Sequence, residues 1–240
     1  MKTSVLAIVA LGGVVLASVA VLADDAAKPI RHLRYDVVVG VRNSRDVNSY
    51  SGHAVLGGEE TQAKGSITAD VVGVAADKAL IFRVSEDTDL RRSGPTQVGV
   101  LKDGQLSYDP KDQATLLAEE LLLASLLGRA VVADHDLSAG TEWSASYKNG
   151  GYSSETTYRV DGLQGDNEVD LDIQRTVKVT GVQAQDTLTT GRIRYDYKRS
   201  VVLSGRLQEH THYADVDSNR TTADLSFDYT LADDSMAPKP

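Results

Sequence analysis

A period-two alternation of apolar and polar residues runs through most of the chain from Ile30 onward. The clearest run is Leu225–Leu231, in which Leu, Phe, Tyr and Leu alternate with Ser, Asp and Thr. The segments 169–174 and 193–198 repeat the pattern. Because successive side chains of a strand point to opposite faces, each strand has one apolar and one polar face. The alternation therefore predicts antiparallel sheet that is covered on one side only.

Turn-forming residues separate the predicted strands. Asp103-Gly104, the Asn-Gly-Gly at 149–151 and the Gly-Asp-Asn at 165–167 each stand between two alternating segments. Gly and Asn accept the positive φ that tight hairpin turns require. We therefore expect about a dozen strands connected mainly by hairpins.

One segment departs from the alternation and predicts a helix over about 110–127. Asp109 is a candidate N-cap, Pro110 suits the first helical position, and Gly128 is a stop signal. Between them, 116–127 is apolar around more than half of the helix circumference and is interrupted only by two glutamates and a serine. A helix this apolar needs neighbours on several sides, which a curved sheet folded around it would supply.

The N-terminus has the composition of a secretory signal peptide. Lys2 precedes an apolar run that ends at Ala23, and an acidic pair follows. Roughly 20 apolar residues can also serve as a membrane anchor, but Gly12-Gly13 and many Ala and Val residues make this run weakly hydrophobic. We therefore expect cleavage after Ala23. The chain has no cysteine, which favours bacterial export over a disulfide-rich secreted class. The expected location is secreted or periplasmic.

The predicted organisation follows from these signals. Residues 1–23 form a signal peptide, 24–29 a flexible N-terminus, 30–232 one β-rich domain and 233–240 a disordered tail. The fold class is mainly β: a single domain of long antiparallel strands that form a curved sheet or half-barrel around one central apolar α-helix.

Charge and motif content exclude several function classes. With 34 acidic and 25 basic residues the net charge is −9, which argues against binding to nucleic acid and against binding to anionic lipid head groups by charge alone. No second apolar run approaches bilayer length, and no membrane span is expected after signal cleavage. The sequence has no phosphate-binding motif, no G-x-S-x-G and no cysteine nucleophile. We expect no cofactor, and we favour a protein that is not an enzyme.

Two sets of candidate site residues remain. His210 and His212 are two positions apart on a predicted strand, so they face the same way and could begin a metal site. The alternative is an ordinary solvated strand face. Leu117 and Leu121 on the helix, together with Trp143, the single tryptophan, are candidate contacts for an apolar ligand. For Trp143 the alternative is a core anchor, since it keeps the period-two pattern.

Three functions follow, from different classes. The first is a non-enzymatic binding or carrier protein for a hydrophobic, lipid-like small molecule. In layout only, a curved sheet with an apolar helix resembles the periplasmic lipoprotein-carrier and lipid-binding half-barrels, which implies a ligand between sheet and helix. The second is a structural or protein-interaction module whose partner is an envelope protein. The third is a metal-dependent hydrolase that uses His210 and His212.

Overall fold

The computed structural model describes residues 29–49, 52–74, 80–89, 91–100, 106–107, 118–127, 131–132, 135–149, 151–181, 184–216 and 219–236. The predicted signal peptide, most of the predicted flexible N-terminus, the first part of the predicted helix with Leu117, and the turn at 103–104 lie outside these residues, as does the tail from 237 onward.

Twelve strands and one helix are described. The first half of the chain contains β1 (Arg31–Ser49), β2 (Gly52–Gly57), β3 (Thr61–Val74), β4 (Leu80–Thr88), β5 (Thr96–Val100) and β6 (Leu106–Ser107). The second half begins with α1 (Ala118–Ser125) and continues through β7 (Glu142–Asn149), β8 (Tyr152–Gln164), β9 (Glu168–Val179), β10 (Gln185–Asp196), β11 (Val201–Val216) and β12 (Asn219–Asp234).

All the strands belong to one open antiparallel sheet in the order β6-β5-β4-β3-β1-β12-β11-β10-β9-β8-β7, with β2 paired to one end of β1. Each half of the chain is a meander, and the pairing of β1 with β12 joins them at the centre. The connection from β6 to β7 links the two edges of the sheet and contains α1. The prediction of a mainly β, antiparallel, curved sheet with one helix is confirmed.

The apolar positions of the alternation form one core on the inner face of the sheet. Tyr35, Val39 and Ile67 are fully buried there, as are Leu171 and Phe227. The intervening positions of the same strands are mostly polar, and most of them are half-buried or exposed. The rings of Tyr35, Phe227 and Tyr229 pack together near the centre of this face. One-sided burial is the arrangement that the period-two pattern predicts.

Helix α1 is buried on all sides. Every residue from 119 to 127 is less than 9% exposed, and α1 packs against β4, β5 and β6. The helix ends at Ser125, and a turn follows in which the Leu126 N–H donates to the Leu123 carbonyl. The expectation of a helix with neighbours on several sides agrees with this burial. None of the helices that the structure describes is long and apolar enough to cross a bilayer.

Strand β12 extends beyond the predicted end of the domain at 232. It continues to Asp234, which is 8% exposed. Arg31 donates to both carboxylate oxygens of Asp234, at 2.9 and 2.7 Å, and Arg199 donates to it at 3.2 Å. These bonds pair the chain end with β1, so 233 and 234 belong to the sheet. Two consecutive acidic residues suggest a solvated tail, but Asp234 pairs with Arg31 and Arg199, which lie far away in the sequence.

Candidate functional site

The inner face of the β7–β8 hairpin carries a cluster of aromatic side chains at the edge of the sheet. Trp143 lies opposite Tyr158, with ring centroids 5.6 Å apart, and Tyr147 is 6.0 Å from Tyr152. His135 also stacks on Trp143, with ring centroids 4.5 Å apart. The antiparallel pairing of β7 with β8, from Glu142 with Arg159 to Asn149 with Tyr152, fixes this register. We call the inner-face residues of the hairpin the aromatic patch: Trp143, Ala145, Tyr147, Tyr152, Ser154, Thr156 and Tyr158.

The aromatic patch is only partly covered. Tyr158 is 7% exposed, but the other six members are half-buried. Helix α1 packs mainly against β4–β6, toward the other edge in the strand order. The indole Nε1 of Trp143 and the hydroxyl of Tyr147 are buried and have no hydrogen-bond partner among the described residues. Buried polar groups are normally paired, so these two atoms are unused hydrogen-bonding capacity at an apolar surface.

A row of cross-strand neighbours leads from the patch toward the centre of the sheet. Ala145 pairs with Thr156, Thr156 with Arg175, Arg175 with Thr189, and Thr189 with Glu209. We call these five residues the Arg175 row. Directly opposite residues on one face of a sheet are in side-chain contact range. The row therefore places one cation and one carboxylate on the inner face, with a threonine between them.

The two charged groups of the row differ in their partners. The hydroxyl of Thr189 donates to Glu209 Oε2 at 3.1 Å. Burial raises the pKa of Glu209, and the hydrogen bonds from Thr189 and Thr211 and the charge of Arg175 oppose the shift. Arg175 is half-buried and forms no hydrogen bond or ion pair within the described part of the chain. Burial raises the pKa of Tyr158, and the charge of Arg175 opposes this shift.

The Arg175 row borders a second polar row. Thr187 and Thr211 are 5% exposed and share a hydrogen bond of 3.0 Å. Val177 lies beside Thr187 and Ser154 on the same face. The described inner face thus changes from an apolar core near β1 to a mixed surface of aromatic rings, hydroxyls and the unpaired guanidinium of Arg175 on β7–β9. Such a surface can hold an organic molecule through ring contacts and fix its orientation with polar groups.

The predicted ligand residues are found in different places. Trp143 lies in the aromatic patch, half-buried. Leu121 is 5% exposed in the core on α1, which packs against the strands near the opposite edge, and Leu117 lies outside the described residues. Sequence reasoning missed Tyr147, Arg175 and Glu209. The alternation could have indicated two of them, because each is a charged residue at a position where the pattern predicts an apolar one. Arg175 lies between Ile173 and Val177, and Glu209 follows Leu207 by two positions.

His210 and His212 are on the outer face of β11, as the alternation predicts. His210 is exposed, and its Nδ1 lies 2.6 Å from Asp224 Oδ1 on β12. His212 is half-buried two residues further along. Among the residues that the structure describes, no group of three or more His, Cys, Asp or Glu side chains is arranged to hold a metal ion. The pairing with Asp224 suits an ordinary solvated strand face, and metal binding at the two histidines stays a prediction.

The outer face carries a ladder of alternating charges instead of a site for apolar groups. Arg192 contacts Asp172 at 3.0 Å and Asp161 at 3.2 Å, and Arg206 contacts Asp228 at 2.8 Å. On the next row Arg194 donates two hydrogen bonds to Asp170, which hold the pKa of Asp170 below its usual value. Each of these arginines has a carboxylate partner, unlike Arg175.

No family model matches the chain, and no curated protein matches it. One solved structure, concerned with lipid–protein interactions in lipovitellin, is similar over 89% of this chain and 26% of its own, with 11% identity and a TM-score of 0.48. This chain therefore spans about a quarter of the length of that structure.

Proposed function

We propose that this protein is a non-enzymatic binding or carrier protein that holds a hydrophobic small molecule against the aromatic patch. The observation that carries the proposal is the pair of buried, unpaired polar atoms, Trp143 Nε1 and Tyr147 hydroxyl, set among half-buried rings. A polar atom buried without a partner costs about 1–3 kcal/mol. A bound molecule with a hydrogen-bond acceptor would supply the missing bonds.

Export to the cell envelope would suit this role, since a carrier of sparingly soluble molecules works in an aqueous compartment between membranes. The N-terminal segment with Lys2 and the apolar run to Ala23 supports that part of the proposal.

The alternative, a structural or protein-interaction module, draws on a different feature. Strand β7 pairs with β8 on one side and lies at the edge of the described sheet. An edge strand can accept an extended segment of a partner protein by main-chain hydrogen bonding. The exposed outer-face residues Ser144, Ser146 and Lys148 keep this edge polar.

Titration with Nile red, an uncharged dye, tests the proposal through the fluorescence of Trp143, the single tryptophan. We expect saturable quenching with the wild-type protein. Ala145→Glu places a carboxylate in the middle of the patch and should weaken dye binding by at least about tenfold, because binding would then bury a charge. Ser146→Glu adds the same charge one residue away on the outer face and should leave the affinity unchanged.

Two results would decide against this function. One is the absence of saturable dye binding to folded wild-type protein. The other is equal weakening by the two variants, which would mean that net charge, and not the aromatic patch, governs the signal.

A further inference from the structure

We propose that the ligand of the aromatic patch is an amphiphile with an anionic head, and that Arg175 binds the head. This inference rests on the proposed function and specifies the chemical class of the ligand. It comes from the row Ala145, Thr156, Arg175, Thr189 and Glu209, which links the patch to the only charged side chains on the described inner face of β7–β11.

The first step concerns the unpaired N–H donors of the Arg175 guanidinium. A guanidinium carries five N–H donors and stays charged at every relevant pH. Three other arginines of this sheet use some of these donors, since Arg192, Arg194 and Arg206 each contact an aspartate. Arg175 is half-buried, yet it forms no hydrogen bond or ion pair in the described part of the chain. A partly desolvated cation without a partner is a favourable position for an anion.

The second step concerns the nearby carboxylate. Glu209 is two strands from Arg175 in the row, with Thr189 between them. Threonine hydroxyls, not the guanidinium, donate hydrogen bonds to the Glu209 carboxylate. Two strand spacings amount to roughly 9–10 Å. Glu209 therefore balances the charge of the inner face without occupying the donors of Arg175.

The third step concerns the body of the ligand. Arg175 lies directly opposite Thr156, a member of the aromatic patch, and Tyr158 is close enough to respond to its charge. Its same-strand neighbours on the inner face are Ile173 and Val177, which are 5% and 2% exposed. A molecule with its anionic head at Arg175 would reach apolar and aromatic surface along either side. Trp143 Nε1 and the Tyr147 hydroxyl could donate to further acceptor oxygens of the head.

The test compares three probes that share one alkyl chain: decanoate, decyl phosphate and the uncharged 1-decanol, each titrated against Trp143 fluorescence. We expect decanoate to bind at least about tenfold more tightly than decanol, as a charge-assisted bond contributes about that much. Arg175→Met keeps the aliphatic bulk and should remove this preference by weakening decanoate while leaving decanol unchanged. Unchanged decanol binding also shows that the variant is folded.

Two further variants sharpen the comparison. Arg159→Met removes an exposed cation from the outer face of β8, one strand from Arg175, and should keep the wild-type preference for decanoate. Glu209→Gln removes the only carboxylate of the row and should tighten decanoate binding while leaving decanol unchanged. A stronger affinity for decyl phosphate than for decanoate would identify a phosphate head, and the reverse order a carboxylate; both orders agree with an anionic ligand.

The outcomes separate the two proposals. If wild type binds decanol and decanoate equally, or if Arg175→Met leaves their ratio unchanged, the anionic-head inference is overturned and the hydrophobic-ligand function stands. If none of the three probes binds, the proposed function itself fails.

Discussion

Buried charge is concentrated at a few residues of this protein, and each instance depends on a specific partner. Glu86, Glu119 and Glu120 are each 1% exposed beneath the β4–β5 connection. Arg91 contacts Glu119 and lies 3.5 Å from Glu86, and the hydroxyl of Ser93 donates to Glu120. Burial raises the pKa of Glu86, and the charge of Arg91 opposes this shift. Arg91 therefore stabilises Glu86 and Glu119, and Arg91 and Ser93 together attach α1 to the sheet.

Replacing that arginine should be strongly destabilising. Arg91→Met leaves Glu119 buried without its cation, and we expect the free energy of unfolding to fall by about 3 kcal/mol or more. Urea denaturation followed by circular dichroism measures the change. Arg92→Met is the matched control, because Arg92 is 77% exposed and its partner Asp87 is 60% exposed; that substitution should change stability by less than about 1 kcal/mol. Equal effects of both variants would contradict the role assigned to Arg91.

Sequence alone could not identify these residues. The two glutamates of α1 interrupt its apolar surface in the sequence, and nothing local to the helix predicts that both are buried. Arg175 was visible as a cation in an apolar phase of β9, but its lack of a partner depends on the register with β10 and β8. Partners of charged groups are set by long-range pairing, which periodicity does not encode.

At the scale of single elements, a glycine in β11 makes room for an aromatic ring of the neighbouring strand β12. A Cβ on Gly205 of β11 would lie 2.3 Å from the Tyr229 hydroxyl oxygen and 2.4 Å from Cζ of the ring. That ring is fully packed, with Tyr35 at 6.1 Å and Phe227 at 4.8 Å between ring centroids. Tyr229 thus covers the backbone of β11 at the position where a side chain is missing.

Gly205→Ala should therefore destabilise the protein by about 1–3 kcal/mol, the usual effect of overpacking a filled core. Thermal unfolding measures this as a lower Tm. Gly162→Ala in β8 provides the comparison, since a Cβ there meets no atom within 4 Å, and its Tm should stay close to that of wild type. A Gly205→Ala protein as stable as wild type would show that the ring of Tyr229 can move aside.

The elements themselves were largely predictable. The turn residues at 149–151 predict the hairpin that β7 and β8 form, and the apolar run at 116–127 predicts the helix α1. Alternation assigned the faces correctly, including the outward position of His210. The pairing of β1 with β12 was not predictable, because alternation identifies the buried face of a strand but not the neighbour at its edge.

At the scale of the whole molecule, one core connects both meanders. Leu33 and Val98 from the first half, α1 between the halves, and Leu171 from the second half belong to a single buried cluster. We expect thermal unfolding to be one cooperative transition, as for other single-core domains. Trp143 fluorescence reports the β7 edge and far-ultraviolet circular dichroism reports the entire sheet, so the two curves should coincide. Separate midpoints would indicate that the two meanders unfold independently.

The pairing of β1 with β12 at the centre of the sheet also determines when the sheet can be completed during synthesis. β1 and β12 are the first and last of the described strands, and the bonds between Arg31 and Asp234 join residues 203 positions apart. While a ribosome is still making the chain, β1 has β3 on one side and nothing on the other. This pairing cannot form before the 16-residue strand β12 has emerged from the ribosome. Until then a nascent chain displays an open edge of β1 to any chaperone that meets it.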